Sequence, residues 1–286
     1  MASAVYVGGL SEFARVGLSL SVLPVGNFGV SRVISPEYTR LLANYAAPFA
    51  PIVESTAALR RHWMNRFAEQ LTPSLSGVFE KMLPANWRGV QNLWMTEAKS
   101  IALDEGIPLM WVPRSEIVQR LVDANDARAR RNIVSRRWVD ISVDCEETLG
   151  SLSCRQIAAD VSLALQAAVA LRDGHMAAAQ ALSTNVLDSV LHKHFAKKDR
   201  IDITSHSNGK QLDVDVLPVR VGLTLAPVWR GYETYWPDKG DKIPYRYTRH
   251  ATAHGASRRQ YSRINAAISL MLVSSVLRLL DEYLPR

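Results

Sequence analysis

The stretch QYSRINAAISLMLVSSVLRLLDEYL, residues 260–284, decides the fold of this chain. It is apolar at helical spacing, and its other faces are also mostly apolar; the spaced positions are Ile264, Ile268, Met271, Leu272, Val276, Leu279 and Tyr283. A helix without a polar face must be buried, either in a core or against another subunit. The stretch therefore predicts a long buried helix near the end of the chain.

Amphipathic patterns upstream of this stretch predict further helices. Two helices are expected at 155–173 and 176–197, on either side of Gly174. A charge-rich helix is expected at 126–141, and Ser115 has the features of an N-cap for the helix before it. Together these patterns favour a mainly α-helical fold, a helical bundle.

The remaining regions give weaker patterns. Residues 54–71 carry an apolar stripe at four-residue spacing, which predicts a helix, and short helices are expected at 75–83 and 90–102. Residues 1–35 suit an extended arm or a short strand better than a helix. After Asn208-Gly209, apolar residues alternate with polar ones at Leu212, Val214 and Val216, which indicates a short β-hairpin.

A turn cluster at 104–108, Asp-Glu-Gly-Ile-Pro, indicates an internal boundary. We therefore divide the chain into an N-terminal helical region, residues 1–106, and a helical domain, residues 107–286. The first region is either an inhibitory or sensing unit or a further part of the same helical body. Its loss is expected to raise activity in the first case and to destroy folding in the second.

Composition narrows the class of protein. The chain has 286 residues, 48% of them hydrophobic, so it can bury a substantial core. A net charge of +7 favours an acidic partner such as nucleic acid or a membrane surface. Two cysteines, Cys145 and Cys154, are too few for a zinc cluster or a disulfide framework. These features predict a cytoplasmic protein without a metal or other cofactor.

No segment is expected to cross or anchor in a membrane. The apolar part of the last helix is interrupted by Ser274 and Ser275 and closed by Arg278, which leaves less than the ~20 apolar residues that a bilayer requires. Near the start of the chain, Glu12 and Arg15 interrupt any signal-peptide pattern. The sequence therefore predicts a protein that is neither exported nor membrane-bound.

The strongest functional pattern lies just before the last helix. Residues 249–255, Arg-His-Ala-Thr-Ala-His-Gly, fall in a run from Lys242 to Arg263 that holds six Lys and Arg and no acidic residue. A histidine titrates near neutrality and can transfer protons, while an arginine stays charged and can hold phosphate oxygens through two N–H groups. Arg249 and His254 supply both residue types, which suits phosphate chemistry without a metal.

The motif Arg249, His250, three residues, His254 resembles the signature of the HEPN superfamily of helical ribonucleases. The long apolar helix after the motif matches the family's last helix, and residues 111–114 match more faintly. The resemblance implies an endoribonuclease that uses the RNA's own 2′-hydroxyl and leaves 2′,3′-cyclic phosphate ends, with Arg249 and His254 catalytic and His250 orienting. It also implies a role in toxicity or phage defence, including abortive infection, and a homodimer through the C-terminal helix. An inhibitory partner would keep such an enzyme silent.

Helical geometry limits how the motif can work. Residues five apart lie ~140° from each other on a regular helix, whereas His250 and His254, four apart, share a face. Arg249 therefore reaches the phosphate at His254 only if its side chain wraps around the terminus, if the helix distorts at Gly255, or if two copies meet across a dimer.

Other interpretations of the same residues stay open. Gly255 has the features of a helix C-cap, which makes Arg and His in the preceding turn structurally favourable. The histidines at i and i+4 also have zinc-ligand spacing, although no intervening Glu or nearby acidic third ligand is evident. A non-catalytic module would bind RNA or a protein through the same basic surface; the expected RNA contacts in either case are Arg246, Arg258, Arg259 and Tyr247. A structural dimer without a nucleic-acid role is the third alternative.

Overall fold

A computed structural model describes residues 83–206, 211–214 and 217–284. The extended arm predicted at 1–35, the helix predicted at 54–71 and nearly all of the helix predicted at 75–83 lie outside these ranges. The turn predicted at Asn208-Gly209 also lies outside them. Within them the chain forms ten α-helices and no β-strand, so the predicted mainly α-helical fold is confirmed. The helices are α1 Met95–Lys99, α2 Ser115–Val122, α3 Ala127–Arg136, α4 Trp138–Gly150, α5 Ala158–Arg172, α6 Met176–His194, α7 Lys197–Thr204, α8 Val219–Gly231, α9 Arg249–His254 and α10 Arg263–Tyr283.

Helix α10 lies at the centre of the fold, as its apolar pattern predicts. It packs against α3, α4, α5, α6 and α8, and every residue from 265 to 277 is buried. Two of its polar side chains bond to other segments of the chain. The Ser275 hydroxyl donates to the Met110 carbonyl at 2.8 Å. The Asp281 carboxylate accepts the backbone N–H groups of Ser153 and Cys154 at 2.9 and 2.7 Å. These contacts tie the loop after α4 to the end of α10.

The burial of α10 within one chain bears on two sequence predictions. By length and composition alone, α10 is apolar enough to cross a membrane, but 89% of its most apolar window is buried inside the protein, as in a core helix. Its apolar faces are covered by other helices of the same chain. The apolar character of α10 is thus explained without a second subunit, and it gives no support to a homodimer formed through this helix.

Helices α5 and α6 form an antiparallel pair that packs on α10 and α4. Gly174 joins them with a φ of +86°, a left-handed conformation that glycine adopts without strain. Its N–H bonds to the Leu171 carbonyl at 2.9 Å, and the His175 N–H bonds to the Ala170 carbonyl at 2.8 Å, which closes the end of α5. The predicted helices around Gly174 are confirmed to within a few residues.

Helix α8 is the main element that the sequence did not predict. Its N-cap is Pro218 and it contains Gly222 and Pro227, residues that normally punctuate helices. A Cβ at Gly222 would lie 2.9 Å from the Val214 carbonyl oxygen, so the glycine lets the preceding segment pack closely on α8. Leu212 and Val214 bury their side chains in the core there. Their alternation serves this packing, and the described residues 211–214 do not form the predicted hairpin strand.

Two predicted helix boundaries are wrong. Ser115 is the first residue of α2, and the N-cap position belongs to Arg114, without a side-chain capping bond. The predicted helix 126–141 is two helices, because Arg137 leaves helical geometry (φ −105°, ψ 17°) and links α3 to α4. The Arg137 guanidinium bonds to Glu116 on α2 and to Asp140, which holds the break in place.

The predicted boundary at residue 106 does not separate two packed units in the described part of the chain. The Trp87 indole N–H donates to the Leu109 carbonyl at 2.7 Å, and the Asn86 amide reaches the carbonyls of Leu109 and Pro113 at 3.0 and 2.8 Å. Arg130 on α3 pairs with Glu105 at 2.7 Å. The π-helical turn Ser100–Asp104 packs on α8 and belongs to the same hydrophobic core. Residues 83–106 are therefore part of the helical body.

We expect the substitution Leu277→Ala in α10 to lower the free energy of unfolding by about 2–5 kcal/mol, because it leaves a cavity in a fully buried layer. Chemical denaturation monitored by circular dichroism measures the change. Arg263→Ala, at the exposed first residue of the same helix, is the matched control and should change stability by less than about 0.5 kcal/mol. Equal effects of the two substitutions would contradict a central position for α10.

Candidate functional site

The predicted motif forms the short helix α9, which buried polar contacts fix to α6. Thr248 caps its N-terminus by accepting the Ala251 N–H at 3.0 Å. The Thr252 hydroxyl donates to the Thr248 carbonyl at 2.8 Å and accepts from the fully buried Gln180 amide of α6 at 2.9 Å. The Tyr261 hydroxyl donates to the Thr252 carbonyl at 2.7 Å. One face of α9 is therefore structural, and the other faces are available to carry chemistry.

Arg249 points toward α6, where it forms an ion pair with Asp188. Its Nη2 lies 3.1 Å from Asp188 Oδ2, and the Tyr232 hydroxyl donates to Asp188 Oδ1 at 2.8 Å. Burial, followed by the Asp188 carboxylate, raises the pKa of Tyr232, so this phenol stays protonated and remains a donor. The Asp188 carboxylate therefore partly compensates the charge of Arg249, and this ion pair fixes the direction of the Arg249 side chain toward α6. The motif pattern alone gave no sign of this pairing.

His250 and His254 lie together on another face of α9, as their spacing predicts. Their ring centroids are 4.8 Å apart, with the planes at 80°. The Tyr235 backbone N–H donates to His250 Nδ1 at 2.9 Å, so the neutral ring of His250 carries its proton on Nε2. Burial, then the charges of His254 and Arg249, lower the pKa of His250. His250 is therefore a neutral donor near pH 7, and the exposed His254 is its neighbour.

Gly255 ends α9 and also permits the contact that orients His250. Its N–H bonds to the Ala251 carbonyl at 2.8 Å, which confirms its position as the C-cap. A Cβ at this position would lie 2.9 Å from Tyr235 Cε1 and 3.1 Å from the Ala251 carbonyl oxygen. Because Gly255 has no side chain, the Tyr235 ring fits against it, and the backbone N–H of Tyr235 binds His250. The structural role of Gly255 is compatible with a chemical role for the histidines.

The four predicted RNA-contact residues have different positions. Tyr247 is buried in the core with its hydroxyl 3.1 Å from Thr184 Oγ1, so it does not present its ring to a base. Arg246 pairs with Glu233, Nε to Oε2, at 2.9 Å. Arg258 and Arg259 are exposed. The burial of Tyr247 therefore gives no support to its predicted role as an RNA contact.

Two aromatic residues near the motif are exposed instead. Tyr245 is 68% exposed, and the guanidinium carbon of Arg259 lies 3.4 Å from the centroid of its ring. Trp236 is 45% exposed, and its ring centroid lies 4.8 Å from that of His250. From the sequence, the aromatic residues of this loop either stack on unpaired bases or bury against the protein, and which of them are exposed depends on how the loop from 232 to 247 folds. These residues are Tyr232, Tyr235, Trp236, Tyr245 and Tyr247. Tyr245, Trp236, Arg258 and Arg259 are thus exposed aromatic and basic residues on the segments that flank α9 in sequence.

In the described part of the chain, the histidine pair lacks the further ligands that a metal site needs. Within the described ranges, no three His, Cys, Asp or Glu side chains lie close enough together to bind a metal ion. His192, another histidine near the site, bonds through Nδ1 to the Asp188 carbonyl at 2.8 Å. The zinc-ligand interpretation of His250 and His254 therefore gains no third ligand from the described residues.

Comparison with known proteins gives no external assignment for this fold or site: no protein-family model, no curated protein and no solved structure matches the chain. The similarity to HEPN ribonucleases thus rests on the motif and on the helix that follows it.

The environment of His250 predicts a pH dependence of stability. Because its folded-state pKa lies below the ordinary value of 6.5, the unfolded chain takes up a proton first as pH falls. The free energy of unfolding should therefore decrease below about pH 6.5 and lose this dependence once pH passes below the folded-state pKa. His250→Asn, which keeps an acceptor for the Tyr235 N–H, should reduce the loss measured by denaturation at pH 7.5 and pH 5. An unchanged loss in the variant would show that His250 is not held neutral.

Proposed function

We propose that this protein is a metal-independent endoribonuclease of the HEPN type that cuts RNA by attack of the 2′-hydroxyl. The observation that carries the proposal is the exposed His254, in ring contact with a neutral, oriented His250, with the exposed Arg258 and Arg259 a few residues further along the chain. Histidine is the residue type best suited to transfer protons at neutral pH. The nearby arginines suit an anionic backbone.

The reaction needs two proton transfers. A base removes the 2′-hydroxyl proton, the 2′-oxygen attacks phosphorus, and the bond to the 5′-oxygen breaks as that oxygen receives a proton. His254 would carry one of these transfers, because it is exposed and meets His250 at its ring, and a solvent water molecule would carry the other. His250 would donate from Nε2 to a phosphate oxygen, since the Tyr235 N–H occupies its Nδ1. The products would be a 2′,3′-cyclic phosphate and a 5′-hydroxyl.

Arg249 would stabilise the charge on the phosphorus centre, but its direction differs from that of His254. Its guanidinium is tied to Asp188 on α6, while His254 contacts His250. The two side chains start ~140° apart around the helix. We therefore infer a site shared by two copies of the chain, in which Arg249 of one copy serves the histidines of the other. Asp188 would position Arg249 for this approach.

The wider role follows by analogy with the motif family. A cytoplasmic enzyme of this type would act in toxicity or phage defence, and an inhibitory partner would hold it silent until triggered. These expectations depend on cleavage activity, so that activity is the first property to establish.

We expect the purified protein to cleave cellular RNA in EDTA and to leave 2′,3′-cyclic phosphate ends, detected by end-group mapping. His254→Ala should reduce the rate at least 100-fold, because loss of a positioned acid or base typically costs that factor. His175→Ala removes an exposed histidine before α6 and is the matched control; it should cleave like the parent. Cleavage that is equal in parent and His254→Ala would exclude this site.

A second candidate function is RNA binding without cleavage. The ion pairs Arg249–Asp188 and Arg246–Glu233 favour it, because a satisfied arginine is a common structural element. In a binding module, affinity would depend on the exposed Arg258 and Arg259.

The salt dependence of RNA binding tests that candidate. The double substitution Arg258→Ser and Arg259→Ser should weaken binding to a single-stranded oligonucleotide and lower the slope of log K against log salt by about 1.4, if each arginine contacts one phosphate. Fluorescence anisotropy between about 50 and about 300 mM salt, a range over which the Debye length falls to roughly half, measures the slope. A binding module would show this change in a protein that never cuts RNA, whereas no RNA binding at all would favour a purely structural protein.

A further inference from the structure

Trp236 stands out on the exposed side of the site because it touches a motif histidine and yet remains open to solvent. Its ring centroid lies 4.8 Å from that of His250, with the planes at 80°, and the residue is 45% exposed. Single exposed aromatic side chains are common on protein surfaces, so the informative feature is the contact of this ring with His250. The neighbouring Tyr235 is buried.

The loop that carries Trp236 is fixed by contacts on both sides. The Tyr235 N–H is bound to His250 Nδ1, and the Trp236 N–H donates to Asp241 Oδ2 at 2.8 Å. The turn Pro237–Lys239 follows, and Gly240 closes it with a φ of +82°. These bonds place the tryptophan beside the histidine pair without relying on burial of its ring. A rigid loop that presents an aromatic ring is suited to bind a planar ligand.

Lys239 adds a cation to this surface. Its Nζ lies 4.9 Å from the centroid of the Trp236 ring, and the residue is exposed. An ammonium on a flexible stem can leave the ring when a base takes its place and then meet a phosphate of the same nucleotide. Aromatic rings and nearby cations are the combination that single-strand binding proteins use, since every base has a π-face and every nucleotide a phosphate.

We propose that Trp236 is a stacking platform for one unpaired base of the RNA next to the phosphate at His254, and that it limits the site to single-stranded segments. This inference rests on the proposed function for the identity of the ligand. A base within a duplex is stacked on both faces and cannot reach the ring, whereas an unpaired base can turn out and stack on it. The short distance from Trp236 to His250 places the stacked nucleotide beside the reacting groups.

Binding is best measured with a ligand that cannot be cut, so that chemistry and recognition are separated. The probe is a fluorescent 12-nucleotide single-stranded oligodeoxynucleotide, compared with a hairpin duplex of the same length, by anisotropy in EDTA. We expect Trp236→Leu to bind the single strand about 10-fold or more weakly, in the range of single-base stacking effects. Trp236→Phe keeps a π-face and should stay within a few-fold of the parent. Leu163→Ala, at an exposed apolar residue on α5, is the control for surface hydrophobicity and should match the parent.

Each outcome discriminates. Loss of single-strand affinity in Trp236→Leu, retention in Trp236→Phe and little change for the duplex support the platform. The same pattern in a protein that does not cut RNA would keep the platform and remove the nuclease. Equal affinity of Trp236→Leu and the parent for the single strand would overturn the platform, even if RNA cleavage were observed. Thermal unfolding of the variants checks that each is folded. If Trp236→Leu is not, Trp236→Met, which also lacks a π-face, provides the test and should lose single-strand affinity in the same way.

Discussion

The burial of α10 is the constraint on which the rest of the structure depends. A helix with apolar residues on every side has to be covered from every side, and five helices of the same chain do so. The cover fixes the positions of α6 and α8, which lie against α10. Helix α6 then supplies the surface to which α9 is attached. The packing of the core therefore determines the position of α9 and of the motif residues on it.

Helix α9 has six residues and is too short to be stable by itself. Gln180 and Asp188 of α6 bind its Thr252 and Arg249, and Tyr261 binds its main chain. The loop at Tyr235 binds it from the other side through His250. The same contacts that make the helix possible also give Arg249 and the histidines different directions. A substitution at Gln180 or Asp188 in α6 can therefore change the positions of Arg249 and the two histidines.

Much of the fold follows from local patterns in the sequence. The apolar periodicity of α10 and the glycine between α5 and α6 each act through a few neighbouring residues, so they could be predicted. Helix α8 could not, because Gly222 and Pro227 are tolerated there only through tertiary packing that no local pattern contains. The break at Arg137 likewise depends on Glu116, which is distant in sequence.

At the candidate site, too, some features follow from local sequence patterns and others depend on tertiary packing. The shared face of His250 and His254 follows from helical spacing and is present. The run from 242 to 263 holds no acidic residue in sequence, yet Glu233 and Asp188 reach Arg246 and Arg249 in space. The exposure of Trp236 and the burial of Tyr247 depend on how one loop folds against α6 and α9. Residue types could therefore be predicted, and their partners could not.

In the proposed enzyme, Arg249 and His254 act on one phosphate although a single α9 directs them apart. Mixing the Arg249→Ala and His254→Ala proteins under conditions that allow subunit exchange, and assaying RNA cleavage in EDTA, tests it directly. A site shared by two copies predicts that each variant alone is inactive and that the mixture regains activity, because mixed pairs contain one intact Arg249 and His254 combination. A mixture as inactive as its components, with exchange verified, would contradict the shared site.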